Sequence, residues 1–338
     1  MISIIIPVYN MANSLGKCID SIISQRKEGI EIVLVDDGSY DNSWDLCKDA
    51  ATRYGNVKAI HQENQGSGPA RNAGIINASG DYYLFIDSDD VLAEGALSKL
   101  SHYAEETQAD LIVFGYTSIN KNETKKEKKY KNKTFSGEEI RNDYSRFFCS
   151  DFEWGIQGAP WNKLFKASVI RENKVEYPAL KRHQDEIFIS RFVNYTKNVM
   201  FIGDCFYYHY TNDSKLVYRK YPKNYIEIVE KVYQFRKEII EPWNKQNQSI
   251  KALIYSEYVN NVIRACFRAF NKEEFKSFRD RVKWYEYNTG KMDIQHFNYP
   301  IGLLGIVKKY QNLVFVRAVK KKHQRIVDLL IRLRILTM

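Results

Sequence analysis

The segment Gly80–Asp90, reading GDYYLFIDSDD, runs an apolar stretch straight into three carboxylates. A run as apolar as Tyr83–Ile86 is a buried strand, so its polar end emerges at the edge of a sheet. In a parallel α/β sheet that carboxyl-end edge is where ligands bind. Asp87 and Asp89 stand two residues apart on an extended segment, which points both carboxylates to the same side. That spacing suits a hard divalent cation carrying phosphates. Taken alone, the same residues also describe a polar turn that closes a strand.

Three further segments extend the pattern. The chain opens with Ile2-Ser3-Ile4-Ile5-Ile6-Pro7-Val8-Tyr9-Asn10, a strand broken by proline. A second strand, Glu31–Val35, ends in Asp36-Asp37-Gly38-Ser39. A glycine-rich stretch, Asn64-Gln65-Gly66-Ser67-Gly68-Pro69-Ala70-Arg71-Asn72-Ala73-Gly74, leads into an Ala/Ile helix. Asp36 and Asp37 suit the hydrogen-bonding edge of a base or the hydroxyls of a ribose. Tyr9 offers an aromatic face to a base. Gly66 and Gly68 let backbone approach a charged ligand, and Arg71 supplies a fork of donors to phosphate or carboxylate. Periodicity predicts strands at 2–6, 31–35, 57–60, 82–86 and 110–114, alternating with helices at 12–26, 41–53, 68–78 and 94–107. Such βαβα alternation makes a parallel sheet flanked by helices.

This quartet of motifs, in this order, resembles family 2 glycosyltransferases, whose pattern is PVYN, DDGS, GxxxARNxG and DxDD. The resemblance implies an α/β fold of the GT-A class: a Rossmann-like, mostly parallel sheet flanked by helices, here followed by a helical C-terminal region. It implies a bacterial enzyme of capsule or cell-surface polysaccharide synthesis, inverting in mechanism, with a UDP-sugar donor and Mn²⁺ or Mg²⁺. The nucleotide-sugar-binding residues implied are Pro7, Tyr9, Asp37, Gly66, Arg71, Asp87 and Ser88, with Tyr9 and Asp37 on uracil and Asp87 on ribose or metal. Asp89 would hold the metal on the diphosphate. The donor sugar is expected to be a hexose, glucose or galactose.

Two central segments bear on the acceptor and the base. Ala159-Pro160-Trp161-Asn162-Lys163-Leu164-Phe165 looks like the WNKLY-type segment of surface-polysaccharide members, with Trp161 and Asn162 as acceptor-side candidates. Trp161 reads equally as a buried structural tryptophan. In His183-Gln184-Asp185-Glu186-Ile187-Phe188, relatives carry Glu-Asp-x-x-Phe with the Asp as catalytic base. The match falls on Asp185. Gln184 replaces the first acid, Glu186 is the rival base, and His183 and Glu186 join the acceptor-side candidates. Inverting transfer needs one base for the acceptor hydroxyl and charge neutralisation for the departing diphosphate. No second, nucleophilic carboxylate is required. In Tyr207-Tyr208-His209-Tyr210, His209 is a candidate for the metal shell or the diphosphate, or else an ordinary surface or core histidine.

The chain has 338 residues, 44% of them hydrophobic, room for about two domains with a substantial core. The expected division is 1–115 as the nucleotide-sugar half, 116–220 as the acceptor half, and 221–338 as the helical region. Lys121–Lys133 reads as a solvated loop. The five cysteines, Cys18, Cys47, Cys149, Cys205 and Cys266, are odd in number and form no CxxC pair, which suits reduced thiols in a cytoplasmic compartment. A core strand at the very start leaves no expected signal peptide, and no apolar run reaches the roughly 18–20 residues that span a bilayer. The net charge of +10 concentrates in the tail, where residues 301–338 carry nine Lys or Arg against one acid, Asp328. Ile326, Leu329, Leu330, Leu333 and Leu336 share one helical face there. A basic amphipathic helix suits an anionic membrane, hence a peripheral protein on the inner face acting on a lipid-linked glycan. Packing on the domain or homo-oligomerisation is the alternative for the tail. Nucleic acid is disfavoured, since no recognition module accompanies the charge.

Overall fold

The computed structural model describes residues 1–148, 153–156, 158–211, 224–244, 248–271, 274–289, 314–315, 317–319 and 323–336. The chain forms two compact units, Met1–Asp213 and Ser214–Met338. In the first, a Rossmann-like half comes first in sequence: β1 (Ile2–Val8), α1 (Leu15–Ile23), β2 (Ile30–Asp37), α2 (Ser43–Arg53), β3 (Val57–Gln62), α3 (Ser67–Asn77) and β4 (Tyr82–Phe85). These four strands pair in parallel. Every residue of β1 and β2 is buried, as expected of strands covered by helices on both faces. Gly74 lets α3 lie close on the sheet, because a Cβ there would stand 2.3 Å from the Ile5 side chain.

β1 and β4 part at their carboxyl ends. Their register runs from Ile2 opposite Tyr82 to Ile5 opposite Phe85, and the Ile86 N–H still reaches Ile5 C=O at 3.1 Å. Pro7, two residues on, faces the same side of β1, where β4 has already ended. A proline is tolerated there because no ladder bond is lost. Asp87 begins where the strands diverge, and the crevice opens between them.

The second half of this unit is mixed rather than parallel. It contains β5 (Val91–Leu92), α4 (Ala96–Thr107), β6 (Leu111–Ile119), β7 (Lys125–Lys128), β8 (Lys133–Ser136), α5 (Gly137–Asn142), α6 (Tyr144–Phe148), β9 (Lys163–Lys166), α7 (Ala167–Glu172), α8 (Gln184–Tyr195) and β10 (Asn198–Tyr210). The sheet order is β3-β2-β1-β4-β9-β6-β10-β5, with β7 paired to β6 and β8 to β10. The expected strand at 110–114 is thus not the neighbour of β4. β9 inserts between them, antiparallel to both. The lysine-rich run is not wholly a loop either: Lys125–Lys128 pairs antiparallel with Tyr116–Ile119. Backbone bonds hold it at an exposed edge, where charged side chains are ordinary and no apolar alternation is needed.

In the second unit the described elements are helical: α9 (Tyr225–Ile240), α10 (Gln248–Cys266), α11 (Phe278–Thr289) and α12 (Gln324–Leu336). Arg236 of α9 pairs with Glu257 of α10 at 2.8 Å. Among the described side chains of α12, Val327, Asp328 and Ile331 are buried, whereas Ile326, Leu329 and Leu333 of the face marked by the sequence are exposed. Lys308, Lys309, Lys320, Lys321 and Lys322 of the basic tail lie outside the described residues.

Candidate active site

The crevice at the carboxyl ends of β1, β2 and β4 is a cleft of about 650 Å³. Pro7, Tyr9, Asp37, Gly66, Arg71, Asp87, Ser88 and Asp89 all line it. Three sequence-distant motifs and the carboxylate cluster therefore meet in one concavity, because the parallel strands deliver all their carboxyl ends to the same edge. Val8, Met11, Asn64, Gln65, Ser67, Leu180, Lys181 and Gln184 complete the wall. Gln65 and Ser67 belong to the glycine-rich stretch, but nothing in their spacing singled them out. Leu180 and Lys181 carry no motif at all.

Asp37 shapes this wall. Its Oδ1 accepts from Gln62 Nε2 at 2.7 Å and from the Gln65 N–H at 3.0 Å, and its Oδ2 accepts from the Gly66 N–H at 2.7 Å. The carboxylate thus anchors the glycine loop while lining the cleft. Gly66 sits at φ +96°, a backbone region that favours glycine. Asp36 differs from its neighbour. It is fully buried, accepting from the Ser39 N–H at 3.2 Å and pairing with His61 Nδ1 at 2.7 Å, so it holds the loop and does not face a ligand. Tyr9 is exposed at the rim, edge-on to Tyr40 with centroids 6.1 Å apart.

Arg71 joins the cleft to α8. It is buried, donating from Nη2 to Asp87 at 2.7 Å and from Nη1 to Asp185 at 2.9 Å, with its guanidinium 5.4 Å from the Tyr177 ring. The fork considered for phosphate is spent on two carboxylates. One belongs to the cleft and the other opens α8. Three more bonds tie α3 to α8 and the chain that precedes it: Gln184 Nε2 donates to Ser67 Oγ at 2.6 Å, and Asn72 exchanges two 2.9 Å bonds with the backbone of Tyr177. Burial raises the pKa of Asp185, and Arg71 opposes that rise while Asp87 and Glu186 add to it. Asp185 is therefore a carboxylate with raised proton affinity, a property of general bases. His183 precedes it in a left-handed conformation at φ 63°, its Nδ1 3.3 Å from Glu186.

The remaining acids divide. Asp90 is buried and fully engaged, accepting from Tyr207 Oη at 2.8 Å, the Tyr210 N–H at 2.8 Å and His209 Nδ1 at 3.1 Å. That hydrogen bond from His209 raises the imidazole's pKa against the opposing effect of burial. Asp89 lines the cleft, and its pKa is raised by burial and then by the neighbouring Asp90 and Asp87. Among the described residues no three His, Cys, Asp or Glu side chains converge as a ready metal cluster. The expected trio of Asp87, Asp89 and His209 is not a preformed cage, since Arg71 holds Asp87 and Asp90 holds His209 Nδ1. What the site offers is two cleft carboxylates with excess negative charge. That fits a cation such as Mg²⁺, whose other ligands would be phosphate and water.

Trp161 and Asn162 do not form an exposed acceptor wall. Trp161 is buried, stacked between Tyr207 (4.7 Å, 8°) and His209 (4.9 Å, 23°) and edge-on to Tyr116 at 4.6 Å. Asn162 Nδ2 donates to Phe114 C=O at 3.1 Å, and its Oδ1 accepts from Lys163 Nζ at 2.7 Å. Lys163 is itself buried, which pushes its pKa down to about 7. These contacts are with neighbouring side chains and backbone, and neither Trp161 nor Asn162 lines the cleft.

Residues 3–172 match Glycosyl transferase family 2. The chain belongs to that family. Among similar proteins, the putative glycosyltransferase EpsH of Bacillus subtilis is 26% identical over 347 residues, spanning 98% of each chain. The poly(ribitol-phosphate) beta-N-acetylglucosaminyltransferase TarP of Staphylococcus aureus is 26% identical, spanning 84% of this chain and 85% of its own. Among solved structures, S. aureus TarS 1–349 in complex with UDP-GlcNAc superposes with a TM-score of 0.68 at 17% identity, covering 98% of this chain and 90% of TarS 1–349. The fold is GT-A, and the protein is a glycosyltransferase.

Proposed function

We propose that this glycosyltransferase moves a hexosyl group from a UDP-sugar to a hydroxyl of a lipid-linked glycan in cell-surface polysaccharide synthesis, with inversion. The observation that carries the reading is the Arg71 fork, which ties a cleft carboxylate, Asp87, to a second carboxylate, Asp185, at 2.7 and 2.9 Å. Uracil would lie between Tyr9 and Asp37, and the diphosphate along Gly66 and the Asp87–Asp89 turn. The similarity to TarS, seen with UDP-GlcNAc and with UDP, supports a uridine donor.

In transfer, the acceptor oxygen attacks the anomeric carbon on the face opposite UDP. The bond from that carbon to the diphosphate breaks, and Asp185 takes the hydroxyl proton. Arg71 keeps Asp185 ionised and oriented, and Glu186 and His183 flank the acceptor side. Mn²⁺ or Mg²⁺ held through Asp89 and Asp87 would neutralise the charge of the departing UDP. The reading includes a location at the inner face of the cell membrane. Among the described residues no helix is long and apolar enough to cross a bilayer.

A polymeric acceptor of the teichoic-acid kind is the second reading. It is favoured by the poly(ribitol-phosphate) glycosyltransferases among the relatives, one of which is 33% identical over 62% of this chain. The test is release of UDP from UDP-glucose, UDP-galactose, UDP-GlcNAc and UDP-GalNAc, with Mn²⁺ and with EDTA. Metal-dependent release from a hexose donor supports the proposal. Release from UDP-GlcNAc alone moves the donor assignment, and no release from any of them overturns it.

A further inference from the structure

Helix α12 has two apolar faces, and among the described residues only one of them is buried. Val327 and Ile331 are fully buried, with Asp328 between them accepting from Arg281 Nε at 2.9 Å and Arg332 Nε at 2.8 Å. Ile326, Leu329 and Leu333 fall within about 60° of arc, about 100° or more from the buried pair. They remain 39%, 55% and 46% exposed. Arg325 and Arg332 border this stripe and are exposed as well. Asp328 is the helix's one acid, and it is turned inward and neutralised.

We propose that the stripe of Ile326, Leu329 and Leu333, with Arg325 and Arg332, docks on an anionic lipid surface. The inference rests on the reading of the protein as a membrane-surface enzyme, and it names the face that holds it there. A helix lying in the interface sinks its apolar stripe among the acyl chains while flanking arginines reach up to the headgroups. Charge decides the occupant. A second copy meeting this face about a two-fold axis would set Arg325 and Arg332 near their own symmetry mates. Arg332 already pairs with Asp328, and the helix has no exposed acid to answer Arg325. The sequence of residues 301–338, this helix included, carries nine basic residues to one acid, Asp328. An anionic leaflet complements this charge, each basic group strengthening partition about fivefold.

The experiment is co-sedimentation of the full chain with phosphatidylcholine vesicles, with and without phosphatidylglycerol. The variants are Leu329→Ser/Leu333→Ser and Arg325→Gln, both at exposed positions, with circular dichroism as the check on folding. The wild type should favour the anionic vesicles by at least about tenfold. The double leucine variant should lose about tenfold or more on them, and Arg325→Gln about fivefold. Raised salt should weaken only the charge-dependent part. Equal binding to both vesicles, or a folded leucine variant that binds like the wild type, overturns the proposal. So does a concentration-dependent dimer that the leucine variant dissolves. UDP-sugar hydrolysis without vesicles reads the functional proposal separately: its absence in the wild type overturns that reading, whereas these variants should hydrolyse as the wild type does.

Discussion

Replacing Arg71 by Met would keep most of the side-chain stem and remove the counterion that Asp87 and Asp185 share. The guanidinium is 4% exposed, with its two Nη atoms 2.7 and 2.9 Å from the carboxylates. Breaking a fully buried ion pair by deleting one partner costs about 3–5 kcal/mol. Asp87 and Asp185 keep 31% and 29% side-chain exposure, so water can take over part of their solvation. The expected loss is therefore about 2–3 kcal/mol, read from the midpoint of urea unfolding. A pH profile gives the second readout. Arg71 holds down an Asp185 pKa that burial raises, so removing it drives that pKa further up. The base works ionised, and the acid limb of the kcat profile should move to higher pH. Arg71→Lys should recover part of the stability without the profile, because one ammonium cannot span both carboxylates as a planar fork does. A loss below about 0.5 kcal/mol with an unmoved acid limb would refute the reasoning.

Glu31 gives a stability test away from the cleft. Burial alone would raise its pKa, but hydrogen bonds from Lys58, Ser3 and Ser79 outweigh that and hold it at about 2. Relative to an ordinary glutamate at about 4.5, this contributes about 3 kcal/mol that is present in full above pH 4.5 and lost as the pH falls through 2. Glu31→Gln should accordingly unfold more easily at neutral pH, with the gap to wild type closing in acid; a constant gap across that window would contradict the assignment. Asp89→Ala should remove the Mn²⁺ dependence of UDP binding in calorimetry with Mn²⁺ or EDTA. Equal affinity in variant and wild type would take Asp89 out of the site.

The first, parallel half of the fold was legible because its signals are local. β1, β2 and β4 are mostly apolar runs, interrupted by Ser3, Pro7 and Glu31, and parallel strands end on one edge, so Asp37 and Asp87 meet there with Gly66 and Arg71 of the glycine-rich stretch. The insertion of β9 between β4 and β6 depends on long-range pairing of Lys163–Lys166, which no periodicity encodes. Lys125–Lys128 was hidden by its charges, since an exposed edge strand needs only backbone partners. Trp161 and Asn162 carry side chains that serve recognition or packing equally well, and nothing local to them encodes the stacking of Tyr207 and His209 on Trp161. Asp36 and Asp37 are adjacent and chemically identical. Pairing with His61 and the Ser39 N–H, rather than anything in the sequence, turns the first inward. For α12, the apolar residues at helical spacing revealed a face but not that Val327 and Ile331 form another, which the unit buries instead.

In the proposed transfer Asp185 takes the acceptor's proton while the cleft holds the donor. That role is tested most directly by measuring sugar transfer and UDP affinity for Asp185→Asn beside the wild type, with Glu186→Gln as the control. The substitution removes a proton acceptor at nearly constant volume. The expected result is UDP affinity close to wild type, transfer reduced by roughly 10²–10⁴-fold, and a much milder effect of Glu186→Gln. Transfer by Asp185→Asn within about threefold of wild type, far short of a general base's contribution, would contradict the account.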